Sequence, residues 1–419
     1  MNPATEIPPP ERIRSYRRLF WLALALVVYG SLFPFHYQAH VPSWGDGWAL
    51  LRPQARHSRS DLLGNVLLFV PYGLLLALPM SLSRRLLALL GGAALALGLQ
   101  YLQFWFPDRV PSGTDAVLNW VGIAIGLGAG LLVLPWVQRR RSVDWPRPQF
   151  VLVTSLLMAL WLLYRWFPLA PTLDVQNLKN GLKPLLQWRE MGALDVLRNL
   201  AGWLVFLRLA RHSWLQRWGS WQLAALCLAV MAAEPLFVNN AISPANAVGL
   251  ALALALFPLL RSGPSKLLVI TGVLAVSIVV AALSPFEWRW VGGFLWFPFA
   301  GSLGGDPIRA MAPLIEKFYL LGSLVFFVRY LGASHGLTVL TLGTLVLALE
   351  LAQQALPGRT PEVTDPLLVL GMAWLMRPLF ERVRLCPQHA LVIGWDAYKA
   401  CTSEGSGRCS HCAHSSASR

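Results

Sequence analysis

The sequence predicts an all-α fold, a polytopic transmembrane helical bundle of about twelve helices, on three observations. Of the 419 residues 56% are hydrophobic and 13% charged, against roughly 25% charged in an ordinary soluble domain. Uninterrupted apolar runs such as Leu19 to Phe35, Leu86 to Phe106, Thr114 to Trp136 and Gly336 to Leu356 reach the roughly 20 residues needed to cross a bilayer. The arginines stand between these runs and not along one solvated face, so the net charge of +15 reads as a topology signal and not as a nucleic-acid footprint.

The elements follow from the proline, glycine and charge breaks. Helices are expected near 19–35, 61–80, 84–106, 114–137, 149–167, 193–211, 218–238, 243–260, 265–284, 308–331, 335–356 and 364–380. Arg12, Arg14, Arg17 and Arg18 precede the first run, which ends at Pro34-Phe35 without a small-x-small cleavage site. An uncleaved first span is therefore expected, with no removed peptide. With the N-terminus cytoplasmic, Arg84/Arg85, Arg139 to Arg141, Arg208/Arg211/Arg217, Arg261/Lys266 and Arg329 fall on the cytoplasmic side, as the positive-inside rule asks. Both termini are then cytoplasmic, and most acidic residues collect on the outer face.

Only Cys227 lies before Cys386, so a secreted disulfide framework is excluded. The segment 383–419 carries Cys386, Cys401, Cys409 and Cys412. They define no zinc ligand set, and a flexible cytoplasmic tail is expected there. No cofactor or metal is expected elsewhere.

An internal repeat appears when Gln100 to Asp115 is laid on Glu350 to Asp365. Gln103 meets Gln353, Pro107 meets Pro357, Arg109 meets Arg359, Pro111 meets Pro361 and Asp115 meets Asp365, all at an offset of 250. The middle of the chain repeats less of it: Asp195 and Asn199 echo Asp61 and Asn65, and Asn246-x-x-Gly249 echoes Asn119-x-x-Gly122. Phe33-Pro34-Phe35, Phe167-Pro168 and Pro285-Phe286 recur at the end of each first helix. The expected organisation is a cytoplasmic segment 1–18, four-helix units over 19–140, 149–262 (degenerate) and 265–382, and the tail. Transporters built as two halves of six do not have this period.

Chain direction brings Arg59, Asp61, Asn65, Gln100, Gln103, Arg109, Asp115 and Asn119 to one depth in the first unit. Such groups, costly in hydrocarbon when unpaired, should turn toward each other or toward a cleft. In the third unit Glu350 and Gln353 share a helix face and Arg359 follows, a pair suited to a polar head group. Asp61, Asp115, Asp195 and Asp365 all stand at expected helix starts, where a cap is the bland alternative. Glu234 and Glu350 can equally serve as interhelical hydrogen bonds. No phosphate-binding loop, H-E-x-x-H, G-x-S-x-G or G-x-G-x-x-G motif is present, and no catalytic residue is assigned.

Pro34-Phe35, Asp61-x-x-x-Asn65, Phe69-x-Pro71-x-Gly73, Gln103, Pro107-x-Arg109 and Asp115-x-x-x-Asn119-x-x-Gly122 together resemble the VanZ-like family of multispanning bacterial membrane proteins. The likeness is best over 30–130; a family glutamate appears as Gln100 there and as Glu350 in the third unit, where Val369 replaces the downstream Asn. The resemblance implies a bacterial cytoplasmic (inner) membrane protein. Its founding member is associated with low-level resistance to teicoplanin, a lipid-bearing glycopeptide. The expected function is to bind or exclude an amphiphilic envelope molecule or glycopeptide antibiotic at an outward-facing polar pocket, with Arg59, Asp61, Asn65, Gln100, Gln103, Arg109, Asp115, Asn119, Asp195, Asn199, Glu234, Glu350, Gln353, Arg359 and Asp365 as ligand-contacting candidates. Its expected partners are the lipid bilayer and such a molecule, a lipid-linked envelope precursor among them, and no nucleic acid. A secondary transporter and a membrane-embedded enzyme on a lipid-linked precursor are the alternatives.

Overall fold

The computed structural model describes residues 10–33, 35, 59–78, 80–107, 109–139, 148–303 and 307–381. The long helices are α1 (Pro10–Leu32), α2 (Arg59–Leu76), α3 (Leu82–Leu102), α4 (Gly113–Arg139), α5 (Pro148–Trp166), α7 (Ala193–Ala210), α8 (Ser220–Ala232), α9 (Pro244–Leu260), α10 (Pro264–Leu283), α12 (Pro307–Tyr330), α13 (His335–Gln353) and α14 (Thr364–Glu381). Every segment expected to be helical is helical. Two short helices were not expected, α6 (Val175–Leu182) and α11 (Ala300–Leu303). Their sequences are too short and polar to stand out from loops. The helix expected at 218–238 ends early because Pro235 follows Glu234 in a 3-10 turn.

Five helices are long and apolar enough to cross a membrane by length and composition: Leu82–Trp105, Gly113–Leu132, Pro264–Leu283, Met311–Tyr330 and His335–Gln353. Five shorter apolar helices accompany them, Phe150–Trp166 and Pro244–Leu260 among these. Large apolar residues such as Leu87, Leu132, Leu259 and Leu340 stay exposed, as expected for side chains that meet lipid tails and not water.

The chain divides into two compact units, Met1–Pro146 and Arg147–Arg419, so the second and third expected segments pack as one body. In the N-terminal unit α2 and α4 pack so closely that glycine is obligatory. A Cβ on Gly122 would stand 2.2 Å from the Val66 carbonyl oxygen, one on Gly126 2.2 Å from that of Val70, and one on Gly73 2.2 Å from that of Ile123. Small residues at four-residue spacing are how helices associate where no hydrophobic force separates protein from solvent. Val27, Phe69, Tyr72, Leu76, Leu99 and Ile123 fill the space beside this crossing.

In the C-terminal unit α9 crosses α7 in the same manner: a Cβ on Gly249 would lie 2.7 Å from Asn199 Cβ and 2.8 Å from the Leu200 nitrogen. The Asn-x-x-Gly motif thus places its glycine against the helix that carries the Asp-x-x-x-Asn motif in both units. The core of this unit is aromatic, with Trp161, Trp203, Tyr319, Phe206, Phe326 and Phe327 fully buried. Trp161 lies edge-on to Trp203 at 5.4 Å and tilted against Tyr319 at 4.9 Å, arrangements favourable to the ring quadrupoles.

Candidate functional site

The residues that follow the three recurring prolines share one backbone geometry. Phe35, Leu169 and Phe286, the residues after the prolines, all have positive φ (66°, 59° and 67°). Their amides donate to Leu32, Trp166 and Leu283 carbonyls at 3.0, 2.7 and 2.9 Å. In the N-terminal unit Arg109 grips the helix end beside its corner, donating to the Phe33 carbonyl at 2.5 Å and the Gly30 carbonyl at 3.1 Å. Arg359 does the same to Ser284 (2.9 Å from Nε) and Ala281 (2.7 Å). A cation on the last carbonyls complements the negative end of the helix dipole.

A second bond recurs. Gln100 Oε1 accepts from the Ser112 amide at 3.0 Å, and Glu350 Oε2 accepts from the Glu362 amide at 2.9 Å. Gln103 donates to the Ser31 carbonyl at 2.8 Å. Arg109, Gln100 and Gln103 are thus engaged with backbone, and Arg359 binds helix carbonyls instead of forming the expected pair with Glu350. The cation beside Glu350 is Lys317 of α12, whose Nζ lies 2.7 Å from Asp365 and 4.0 Å from Glu362. Gly301 donates its amide to Glu362 at 3.0 Å.

Asn119 is buried in α4, and Asp115 sits in the first turn of that helix. Asn65 is half-buried on α2, and Gln353 ends α13. The side chains of Arg59 and Asp61 lie outside the described residues, as do Cys386, Cys401, Cys409 and Cys412. No group of metal-ligating side chains occurs among the described residues. Asp195 stands in the first turn of α7 but does not cap it, since the cap position is Gly192. It can still complement the helix dipole.

A dense polar network lies between α5, α7, α9 and the turn after α8. Arg165 Nε and Nη2 donate to Glu234 Oε1 at 2.8 and 2.6 Å, and Nη1 donates to Asn199 Oδ1 at 3.1 Å. Asn246 Nδ2 reaches both Glu234 oxygens at 3.3 Å, and Trp203 Nε1 donates to Asn246 Oδ1 at 2.9 Å. The guanidinium also faces the Trp161, Tyr164 and Trp203 rings at 5.4, 5.9 and 5.8 Å. Burying this pair is tolerable because hydrogen bonds and aromatic faces replace water around both charges.

Next to it Arg198 binds Glu316 of α12 through two parallel bonds, Nε to Oε1 at 2.6 Å and Nη2 to Oε2. Both networks open onto one cavity of about 520 Å³, walled by Tyr164, Gln187, Asp195, Arg198, Ala312 and Glu316 among others. Three candidates read from the sequence, Asp195, Asn199 and Glu234, line it. Arg165, Arg198, Glu316 and Lys317 were missed. Their signal was present: Glu316 and Lys317 interrupt an apolar segment, and Arg165 stands two residues before the Phe167-Pro168 corner, and charges inside spans are functional hypotheses by default.

The helical architecture, with its apolar lipid-length segments, defines a polytopic membrane protein. The family model described as VanZ/LLP1 matches residues 20–134, so the N-terminal unit holds a VanZ-like segment. No curated protein and no solved structure matches the chain.

Proposed function

We propose that this VanZ-like membrane protein binds the polar head group of an amphiphilic envelope molecule, or excludes such a molecule, at the cavity between α5, α7 and α12. The observation that carries the reading is the cavity itself: about 520 Å³ of space with charged and amide side chains in its wall, at the ends of apolar helices. Ligand sites commonly occupy some 300–1,000 Å³ and fix their ligands with a few placed polar groups. With the N-terminus cytoplasmic, the C-terminal end of α5 and the N-terminal ends of α7 and α9 face outward, where an envelope molecule or a lipid-bearing glycopeptide would arrive. The shared corner geometry and the bonds of Arg109/Arg359 and Gln100/Glu350 support the companion reading that the C-terminal unit contains further VanZ-like segments.

The test is susceptibility of a sensitive bacterium to teicoplanin and to a non-lipidated glycopeptide, at matched membrane expression. Protection against the lipid-bearing drug, lost in Ala312→Trp, which fills the cavity, is the expected result. Protection that survives Ala312→Trp would move the site elsewhere, and no protection would remove the antibiotic as the amphiphile.

A further inference from the structure

We infer, building on the cavity reading above, that the head group taken by this cavity carries an amine and not a free phosphate. The argument is an account of which charges in the wall are already spent. Arg165 gives Nε, Nη1 and Nη2 to Glu234 and Asn199 and packs against three rings. Arg198 gives Nε and Nη2 to Glu316 in the fork geometry that satisfies a carboxylate. Each arginine is therefore matched to a glutamate, and Asn246 reaches both oxygens of Glu234.

One carboxylate in the wall has no such match. Asp195 is exposed to the cavity, and its side chain makes no hydrogen bond and no ion pair within 4 Å among the described residues. Arg198 acts on it through a longer-range attraction. Among the described residues two cations and three carboxylates line the cavity, an excess of one negative charge. Asn199 gives one of its two amide hydrogens to the Asp195 carbonyl at 2.8 Å and carries no charge to offset a carboxylate. A phosphate could take only the hydrogens of Arg198 that the fork leaves over, on Nη1 and Nη2, and would sit between the Glu316 and Asp195 carboxylates at a wall already in negative excess. An ammonium group completes the balance without displacing anything, and the side-chain oxygens of Gln187 and Ser243 in the same wall can accept its remaining protons.

The experiment measures binding of dodecylammonium, dodecyl phosphate and chainless ethylammonium to the full chain in nanodiscs by isothermal titration calorimetry. Wild type, Asp195→Asn and Ala312→Trp are compared. The expected result is saturable dodecylammonium binding, at least about tenfold tighter than dodecyl phosphate, weakened about tenfold by Asp195→Asn and abolished by Ala312→Trp. Tighter binding of the phosphate, or an Asp195→Asn variant with unchanged affinity, overturns the amine inference while leaving the cavity as an amphiphile site. Equal affinity for ethylammonium keeps the amine and overturns the amphiphile. Failure of all three probes overturns both.

Discussion

The N-terminal unit and the C-terminal unit solve the same problem of buried polar groups in different currencies. In the N-terminal unit Gln100, Gln103 and Arg109 each bond backbone. In the C-terminal unit the position of Gln100 is Glu350 and that of Ser112 is Glu362, and Lys317 enters beside them. Between α5, α7 and α12 the charges multiply into two further pairs, Arg165–Glu234 and Arg198–Glu316. A frame bond that needs only an acceptor oxygen is indifferent to charge. The added charges therefore demand another reason, and the adjacent cavity supplies one.

The largest effect should come from breaking the buried Arg165–Glu234 pair of the C-terminal unit. Arg165 and Glu234 side chains are 9% and 2% exposed, so Arg165→Met strands a carboxylate and should cost about 3–5 kcal/mol of stability in detergent unfolding. A loss below about 1 kcal/mol would show that Glu234 does not depend on Arg165.

The comparison sharpens in a reciprocal exchange. Gln100→Glu puts a carboxylate where no cation is bonded to the side chain and should destabilise the protein by about 2 kcal/mol or more, whereas Glu350→Gln keeps an acceptor for the Glu362 amide and should cost under about 1 kcal/mol. Equal losses would mean that the two positions are not equivalent in role. Arg109→Ala and Arg359→Ala should match one another at about 1–3 kcal/mol each, since both release helix-end carbonyls.

The smallest effect is one of pH. His212, in the loop after α7, is half-buried with its Nε2 enclosed, and its imidazole is pushed down to about 3 by desolvation first and by Arg208 and Arg211 second. An unfolded histidine takes up its proton near 6.5, so the unfolded chain binds more protons between these values. The contribution of neutral His212 is complete above about pH 6.5 and is lost as pH falls toward 3. His212→Phe, which keeps the ring beside Tyr330, should flatten the drop in melting temperature between pH 7.5 and 4.5. An unchanged drop would assign it to other groups.

Helices were legible because lipid length, proline breaks and charge breaks act locally in sequence. The glycine crossing was half legible: Asn-x-x-Gly stood out as a recurrence, but its contact with the Asp-x-x-x-Asn helix depends on two chain-distant backbones meeting. Glu350 and Arg359 are close in sequence and were expected to pair. The fold instead gives Arg359 the end of α10 and brings Lys317 to the acidic group from 33 residues upstream of Glu350. Asp195, Asn199 and Glu234 were found as polar residues at recurring positions. The cavity that joins them was not, because it is closed by Ala312 and Glu316 of α12, a helix far away in sequence.

The central claim is that this cavity holds one amphiphile. Native mass spectrometry of the protein released from membranes into a mild detergent tests it most directly. The account predicts one retained amphiphile per chain for wild type and none for Ala312→Trp at equal thermal stability. An unchanged retained mass in Ala312→Trp, or a wild-type protein that emerges bare, would contradict it.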